Sequence, residues 1–454
     1  MAAGPVAADD RALPVNRQQV TLSFAPVVKQ VAPAVVNIYT RKVVQTRVNP
    51  LFDDPFFRQF FGGNGVPGLS QERVQNSLGS GVIVRSTGVI ITNNHVTGGA
   101  DQIKVVLADK REFDAKIIGA DERSDLAVLQ LQKVNESLPA LDLADSDQVE
   151  VGDMVLAIGD PFGVGQTVTS GIVSALARSA IDVGGYRSFI QTDAAINPGN
   201  SGGALVTSDG RLIGINTAIY SQSGGNIGIG FAIPSNMVRT VLASILKQGH
   251  AVHAWFGATG QTVTADLAKN LGLSRPQGVA ITRVTTDSPA ARAGIRTGDV
   301  VRKVNGRAIG DADELRYILA TLQVGSTATL DLTRDGADLA VRMAIEAPPE
   351  MPPRRTTLLK GRQPLAGVTV ANLNPALADE LGIQFDEPGV IITKISDDSY
   401  AARIGVQVGD IVWDVNGETA KTVDDLVRLL AIPVDGWKVT LNRGGRSIQF
   451  SVSN

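Results

Sequence analysis

Residues 197–204 read NPGNSGGA, which places one serine, Ser201, among three glycines. Glycine packs no side chain and loses much conformational entropy on folding, so this crowding needs a compensating gain. A nucleophilic serine would supply one, since it needs a base to take its proton and backbone N–H groups aimed at the developing oxyanion. We assign the oxyanion hole to Gly199, Asn200 and Ser201, and we expect the two glycines after the serine to let a substrate backbone approach. The alternative is a glycine-rich hairpin.

The chain offers one histidine as the base for this serine. His95, in the stretch ITNNHV, is the only histidine before residue 250, and it follows an apolar run. Asp125, in SDLAVL, opens another apolar run and is a candidate to fix the tautomer of the imidazole. Taken alone, a single histidine is more often structural, and a single aspartate is more often a turn cap. The order His95, Asp125, Ser201 within one strand-rich region predicts a Ser-His-Asp triad for acyl transfer.

The distribution of apolar residues divides the chain into two parts. The first 235 residues contain short β-branched runs separated by Gly, Asp and Ser turns, which is typical of an antiparallel barrel or sandwich. Ser235 is expected to cap a closing helix that ends at Gly249. Beyond residue 254 the sequence repeats, because SPAARAGIRTGDVVRKVNG at 288–306 matches SYAARIGVQVGDIVWDVNG at 399–417. The pattern predicts one β-rich domain followed by two copies of a smaller α/β module.

Composition excludes several classes of function. The 454 residues are 43% hydrophobic and 19% charged, which suits a folded protein of several domains. The net charge of −3 without a Lys/Arg run gives no reason to expect a nucleic-acid partner, and no apolar run is long enough to predict a transmembrane segment. With no cysteine and three histidines, we expect no thiol chemistry, no metal site and no cofactor. The first residues lack the features of a signal peptide, which we expect to have been removed.

Three stretches carry a resemblance to a known family. TNNHV, SDLAVL and DAAINPGNSGGAL resemble the HtrA (Deg) family of serine proteases, and the two repeats resemble PDZ domains. The combination is similar to the bacterial periplasmic DegP/DegQ branch over residues 20–454. The resemblance implies a mainly β chain, with a chymotrypsin-like double β-barrel protease domain followed by two α/β PDZ modules. The expected domains are an N-terminal tail at 1–19, a protease domain at 20–250 with a long insertion at 46–77, PDZ modules at 254–346 and 363–454, and a Pro-rich linker at 347–362.

The resemblance also implies an activity. It predicts an ATP-independent serine endopeptidase that degrades unfolded or misfolded proteins in the periplasm and has some chaperone activity. It further implies a homotrimer, from which larger cages can be built. The alternative is a holdase chaperone or PDZ scaffold with little proteolytic role. An intact triad argues against that alternative, because a scaffold has no need to keep these three residue types in order.

Two positions bear on substrate specificity. Trypsin-like specificity needs an aspartate six residues before the nucleophile, where this chain has Ala195, so a basic P1 side chain would find no counter-charge. Digestive relatives carry an aspartate directly before the nucleophile that pairs with a newly cut N-terminus, and Asn200 cannot form that ion pair. The expected pocket wall, NIGIGFAIP at 226–234, is apolar and glycine-lined, and together with the resemblance it predicts small aliphatic P1 residues. The predicted pocket residues are Ala195, Ile227, Gly228, Ile229 and Gly230, and the alternative for 227–233 is simply a buried strand.

Two further loops are candidates for assembly and control. The insertion carries Phe56, Phe57, Phe60 and Phe61 on one predicted helical face. The resemblance implies a loop that reaches the active site of a neighbouring subunit, and the alternative is a small aromatic helix packed on its own domain. The loop at 177–188 resembles the activation-sensor loop of the family, with Arg178 at its basic position.

Each PDZ module is expected to bind peptide ends. In such modules a short loop offers backbone N–H groups to a C-terminal carboxylate, and the peptide adds to the following strand. The matching loops are Phe256, Gly257 and Ala258 in the first module, and Leu365, Ala366, Gly367 and Val368 in the second. The alternative for either module is a closed groove used only for assembly, and it applies above all to the second. Because the first loop follows the closing helix almost directly, we expect it to tether substrates.

Overall fold

The structure is a computed structural model of the 454-residue chain, which divides into two compact units. The first unit ends at Ala251 and the second begins at Val252. The structure describes residues 23–44, 73–160, 165–178, 188–197, 199–219, 228–383, 385 and 388–453. Within these ranges, no helix combines the length and the apolar character that crossing a bilayer requires.

The first unit contains two closed six-stranded barrels, and the first barrel has the order β1-β2-β3-β6-β5-β4. Its strands are Val35–Val44, Arg73–Arg85, Val89–Asn93, Gln102–Val106, Glu112–Asp121 and Leu126–Leu131, numbered in that order. Two short helices, α1 (Ala25–Val31) and α2 (Asn94–Thr97), precede β1 and follow β3. Strands β3 and β6 run antiparallel, with Asn93 opposite Leu126. The end of β3 therefore lies beside the start of β6, and this pairing brings the two candidate residues of the barrel together.

The second barrel has the order β10-β11-β12-β9-β8-β7. Its strands are Met154–Gly159, Thr167–Arg178, Phe189–Thr192, Ala204–Thr207, Leu212–Ile219 and Gly230–Pro234, numbered β7 to β12. The loop from β9 to β10 carries the glycine-rich stretch. Two closed barrels in sequence are the chymotrypsin-like fold that the resemblance implies, so the fold prediction is confirmed. The sequence alone had left a sandwich open as well.

Helix α3 (Ser235–Gln248) closes the first unit. The expectation that Ser235 caps it is wrong, because Pro234 is the N-cap residue and Ser235 lies inside the helix. The Ser235 hydroxyl instead donates to the carbonyl oxygen of Ala144 at 2.8 Å, which fixes the start of the helix to the preceding chain. The end was predicted correctly, since Gly249 has a left-handed φ of 80°.

The first module of the second unit is a sheet of order β13-β14-β15-β17-β18, with β16 paired to β15. The strands are Ala258–Thr262, Val279–Val284, Val300–Val304, Arg307–Ala308, Thr327–Arg334 and Ala337–Ala344. Its helices are α4 (Ala265–Asn270), α5 (Pro289–Arg292) and α6 (Ala312–Ala320). Strand β13, which follows the predicted carboxylate loop, stands at the edge of this sheet.

The second module is a sheet of order β19-β20-β21-β22-β24-β25, with β23 paired to β22. The strands are Thr357–Leu358, Val368–Leu373, Gly389–Ile395, Ile411–Val415, Glu418–Thr419, Gly436–Arg443 and Arg446–Ser453. Its helices are α7 (Pro375–Glu380), α8 (Tyr400–Arg403) and α9 (Val423–Leu430). Strand β19 falls within the segment expected to be a linker, so part of that segment belongs to the sheet of the second module.

The two modules repeat one buried ion pair. Asp299 and Asp410 are each almost fully buried, and each directly precedes the strand that follows the repeated GD motif. Arg334 Nε lies 2.6 Å from Asp299 Oδ1, and Arg443 Nε lies 2.6 Å from Asp410 Oδ1. A second guanidinium nitrogen closes a bidentate contact in both modules. The internal repeat therefore extends from the sequence to the interactions that hold each module.

Candidate active site

His95 and Asp125 meet at one end of the first barrel. His95 lies on α2, two residues after β3, and Asp125 lies directly before β6. Asp125 has a left-handed φ of 54°, which is uncommon for a residue with a side chain and is tolerated best by Asn and Asp. In this conformation the Asp125 carbonyl oxygen accepts two hydrogen bonds, from the Asn94 N–H at 3.0 Å and from the Asn93 side-chain amide at 3.1 Å.

The Asp125 carboxylate contacts His95 through both oxygens. Its Oδ2 lies 2.7 Å from His95 Nδ1, and its Oδ1 accepts the backbone N–H of His95 at 3.0 Å. Burial lowers the pKa of His95, but the charge of Asp125 and its hydrogen bond outweigh this effect, so the pKa lies above its ordinary value of 6.5. With Nδ1 facing a carboxylate, the neutral ring carries its proton on Nδ1, so Nε2 is the nitrogen that can accept a proton.

The two glycines after Ser201 have a structural role that the sequence reasoning did not include. A Cβ at Gly202 would lie 2.1 Å from the Ser80 carbonyl oxygen, and a Cβ at Gly203 would lie 2.2 Å from the Ile158 carbonyl oxygen. Glycine is therefore required at both positions because the protein's own backbone approaches there, rather than only a substrate. Gly202 also has a left-handed φ of 82°.

The loop before Ser201 presents backbone donors. Asn200 N–H donates to the Asn197 carbonyl oxygen at 2.9 Å, which closes a turn in which Gly199 has a φ of 95°. In the part of the chain that the structure describes, the N–H groups of Gly199 and Ser201 have no acceptor. Of the three N–H groups assigned to the oxyanion hole, that of Asn200 is thus engaged in the turn, while the outer two remain available to a ligand.

Thr217 is a residue that the sequence reasoning missed. It lies on β11 of the second barrel and is almost fully buried. Its hydroxyl donates to Asp125 Oδ2 at 2.9 Å, and its carbonyl oxygen accepts the Ser201 hydroxyl at 3.2 Å. Thr217 therefore links the carboxylate of one barrel to the serine of the other. One threonine in an apolar strand gives no local signal of this role.

Ser80, on β2, was also missed, and it connects the first barrel to the glycine-rich loop. Its N–H donates to the Ser201 carbonyl oxygen at 2.8 Å, and its hydroxyl donates to the Gly199 carbonyl oxygen at 2.5 Å. The same hydroxyl accepts the Asp160 N–H at 2.8 Å. Ser80 thus holds the backbone of the loop at both residues whose N–H groups are available.

The predicted pocket residues are only partly described. The Ala195 carbonyl oxygen accepts the Thr169 hydroxyl at 2.8 Å, and it lies 3.5 Å from the side-chain amide of the fully buried Asn200. A Cβ at Gly230 would lie 2.9 Å from the Ile196 side chain. Ile227 lies outside the described residues, and Gly228 and Ile229 lie just before β12.

Two other predicted features cannot be placed. Arg178 ends β8, but its side chain lies outside the described part of the chain. The predicted cluster of Phe56, Phe57, Phe60 and Phe61 also lies outside the described residues.

The carboxylate loops of the two modules differ in their hydrogen bonds. Gly257 has a φ of 69° and Gly367 a φ of 85°, and both lie against the serine that caps a short helix. Among the described residues, the N–H groups of Phe256 and Gly257 have no acceptor. In the second loop, the N–H groups of Ala366, Gly367 and Val368 all donate to carbonyl oxygens of the module itself.

Comparisons with known proteins agree with this geometry. Residues 79–215 match the family described as Trypsin-like peptidase domain, and residues 226–345 and 391–436 each match a family described as PDZ domain. The chain is 39% identical over 448 residues to the periplasmic serine endoprotease DegP of Salmonella typhimurium, covering 94% of this chain and 90% of the relative. It is 38% identical over 429 residues to the periplasmic pH-dependent serine endoprotease DegQ of Escherichia coli, covering 94% and 90%.

Solved structures give a similar result. The HtrA-type protease AlgW with a decapeptide is 46% identical, covers 72% of this chain and 99% of its own, and has a TM-score of 0.53. The HtrA-type protease AlgW with a tripeptide is 42% identical, covers 72% and 98%, and has a TM-score of 0.55. Both likenesses combine substantial sequence identity with a shared fold.

Proposed function

Because this chain belongs to the HtrA (DegP/DegQ) family and is a periplasmic serine endoprotease, we propose that Ser201 is its nucleophile, His95 its general base and Asp125 the carboxylate that orients the base. The contact of 2.7 Å between Asp125 Oδ2 and His95 Nδ1 is the observation that carries the assignment. Thr217 supports it, because its contacts connect Asp125 and Ser201 across the two barrels.

The proposed reaction has two acyl-transfer steps. Ser201 Oγ attacks the carbonyl carbon of the scissile peptide bond while neutral His95 Nε2 takes its proton. The imidazolium returns this proton to the leaving amine as the C–N bond breaks, which leaves an acyl ester on Ser201. His95 then deprotonates a water that attacks the ester, and return of the proton to Oγ releases the carboxylic product. Asp125 stabilises the imidazolium in both steps.

The oxyanion that forms in each step would be bound by Gly199 and Ser201. Their N–H groups lack acceptors among the described residues, and donors that are already oriented stabilise developing charge without reorganisation. Ser80 supports this arrangement, since it holds the carbonyl oxygens of the same two residues. Asn200 takes part through its turn rather than through a free N–H.

The substrate side of the proposal concerns P1 residues and chain ends. Ala195 offers no counter-charge, so small aliphatic P1 side chains fit this site best. Unfolded or misfolded proteins would be the substrates, because such residues are accessible in an unfolded chain. The first PDZ module has two N–H groups, of Phe256 and Gly257, that find no acceptor in the described part of the chain, and it would bind peptide C-termini and raise their local concentration for cleavage. The proposal also includes assembly as a homotrimer through the protease domain, with Phe56, Phe57, Phe60 and Phe61 acting between subunits, and some chaperone activity.

Replacement of the nucleophile is the direct test. Ser201→Ala should lower kcat/KM for an unfolded protein such as reduced casein by about 10⁶-fold, because alanine has no hydroxyl with which to form the ester. The variant should still bind unfolded protein, since the PDZ grooves are untouched. Turnover is measured by release of a fluorescent fragment, and Ser208→Ala, at an exposed turn, is the matched serine control.

The same variant separates a protease from a holdase. If Ser201→Ala suppresses aggregation of a denatured client as well as the unchanged chain does, chaperone activity is independent of the triad. Turnover at the unchanged rate in this variant would disprove the assignment of Ser201. Loss of both functions together with a lower melting temperature would be assigned to misfolding, which circular dichroism detects.

The pH profile tests His95. The base must be neutral, and Asp125 raises its pKa above 6.5, so kcat/KM should fall as the pH drops through that raised value. Asp125→Asn removes this effect and should lower kcat by about 10⁴-fold. Initial rates between pH 5 and 9 on a peptide substrate are the measurement, with the assembly mass checked at each pH. A flat profile with constant mass would contradict the role of His95.

A further inference from the structure

The second PDZ module differs from the first at the edge of its sheet. Strand β19 pairs antiparallel with β20, with Thr357 opposite Val370 and Leu358 opposite Thr369. The equivalent strand of the first module, β13, pairs only with β14 among the described strands. A peptide that binds a PDZ groove adds to this same edge as an extra strand. In the second module, a segment of the chain itself therefore lies where an external peptide would bind.

The hydrogen bonds of this segment correspond to those of a peptide end. Leu359 N–H donates to the Val368 carbonyl oxygen at 2.8 Å, and the Gly367 N–H of the carboxylate loop donates to the Leu359 carbonyl oxygen at 2.9 Å. The Leu359 carbonyl thus takes the place of a terminal carboxylate. In the first module, the N–H of the equivalent Gly257 has no acceptor among the described residues.

The side chains of the segment alternate as in a bound strand. Leu359 is 4% exposed and belongs to the core cluster that includes Leu365, Val368 and Leu426, whereas Leu358 is 47% exposed. A period of two along a strand sends alternate side chains to opposite faces. Leu359 therefore fills an apolar site bounded by the carboxylate loop, β20 and helix α9.

The chain before the segment is also attached to this module. Asn372 on β20 donates its N–H to the Arg354 carbonyl oxygen at 2.6 Å and its side-chain amide to the Pro353 carbonyl oxygen at 2.7 Å. Arg355 forms an ion pair of 2.5 Å with Asp424 on α9. These contacts extend the pairing and span the two walls of the groove, so the segment is held from both sides.

We propose that the segment 357–359 is an internal ligand of the second PDZ module, and that this groove accepts an external peptide only after the segment leaves. The external ligand would resemble the segment, as a peptide with a free C-terminal carboxylate, leucine at its end and threonine two residues earlier. Because the internal ligand is covalently attached, its effective concentration is on the order of mM, and an external peptide competes with it at a disadvantage.

A reversible lock tests the proposal in the full chain. Leu358 and Thr369 face each other in a pair that exchanges no hydrogen bond, where Cβ atoms of antiparallel strands are close enough for a disulfide. The chain has no cysteine, so Leu358→Cys/Thr369→Cys adds a single thiol pair. All proteins in the experiment carry Ser201→Ala to prevent cleavage of the probe. The probe is a photoreactive peptide ending in Thr-Leu-Leu with a free carboxylate, and mass spectrometry locates its cross-links.

The expected result separates the two modules. At high peptide concentration the reduced protein should cross-link at residues 365–373, and the oxidised protein should not, while cross-linking at residues 256–262 stays equal in both. Leu359→Asp expels the segment and should increase cross-linking at 365–373 by at least about tenfold. Leu358→Asp, at the exposed neighbour, is the matched control and should leave it unchanged. The same peptide with a C-terminal amide should cross-link less at both sites.

Two results would overturn the proposal. Equal cross-linking at 365–373 in the oxidised and reduced proteins would show that the segment does not cover the groove. Absence of cross-linking there in a folded Leu359→Asp protein would show that the groove is no peptide site. If thermal unfolding shows that Leu359→Asp does not fold, the reduced and oxidised proteins decide alone, because both retain every core side chain. Absence of cross-linking in both would then count against the proposal.

Discussion

Gly257 and Gly367 occupy the same place in the two PDZ modules, each with a left-handed φ and each against the serine that caps a short helix. Around them, the modules differ in one respect. The N–H of Gly367 donates to Leu359 of the chain itself, whereas the N–H of Gly257 has no acceptor among the described residues. Two copies of one fold thus present one open carboxylate loop and one that is already filled.

The difference comes from the chain that precedes each module rather than from the modules themselves. Helix α3 leads almost directly into the first carboxylate loop, while the Pro-rich segment before the second loop supplies strand β19. The unpaired N–H and C=O groups at a sheet edge can form hydrogen bonds with any strand that reaches them. The occupancy of a groove therefore depends on which neighbouring chain can reach its edge.

The largest effect should come from the ion pair that both modules share. Arg334→Met and Arg443→Met each leave a buried aspartate without its partner. Each substitution should therefore lower the free energy of unfolding of its module by about 3 kcal/mol. Hydrogen exchange at β15 and β22, read by mass spectrometry, reports the two modules separately. Arg292→Met removes an exposed ion pair with Glu346 and serves as the control. It should lower the free energy of unfolding by less than about 1 kcal/mol. A large loss in one module only would show that their frameworks are not equivalent.

An intermediate effect should come from the carboxylate loops. A Cβ at Gly257 would lie 2.1 Å from Ser288, and a Cβ at Gly367 would lie 2.9 Å from Ser399, so valine should distort either loop. We expect kcat/KM to be about tenfold higher for a substrate that ends in valine with a free carboxylate than for the same substrate with a C-terminal amide. This ratio corresponds to about 1.4 kcal/mol. Gly257→Val should abolish this preference, and Gly367→Val should leave it, as measured by kcat/KM. The reverse outcome would exchange the roles of the two modules.

The smallest effect should come from the helix that borders each groove. Asp311 accepts the Glu314 N–H at 2.8 Å at the start of α6, and Thr422 forms a full capping box with Asp425 at the start of α9. The first module has no such box, because the Glu314 carboxylate accepts the Gly310 N–H rather than that of Asp311. Asp311→Ala and Thr422→Ala should each lower the free energy of unfolding of the helix they cap by about 1 kcal/mol.

Hydrogen exchange in α6 and α9 measures these two losses. Asp311→Asn and Thr422→Ser keep a side-chain acceptor at the cap and should restore most of the protection. A larger loss for Thr422→Ala than for Asp311→Ala would agree with the second reciprocal bond in the complete box. No change in either helix would mean that packing against the sheets, rather than the caps, fixes these helices.

Much of the molecule could be predicted from sequence because its signals are local. The glycine pattern around Ser201, the single upstream histidine, and the repeat at 288–306 and 399–417 identified the fold and the candidate triad. Helix ends were predicted where a residue acts by its own conformation, as Gly249 does. The prediction for Ser235 was wrong because the carbonyl oxygen that binds its hydroxyl, that of Ala144, is remote in sequence.

From the sequence alone, candidate residues for peptide hydrolysis could be named and the modules after the protease counted. How these residues are held depends on the three-dimensional packing. Ser80 and Thr217 join the barrels through a few hydrogen bonds, which leave no period or motif in the sequence. The packing also decided that Leu359 fills the second groove, because a sheet edge is satisfied by whichever strand lies beside it. Side-chain chemistry is a local property, whereas hydrogen-bond partners are set by the packing of distant segments.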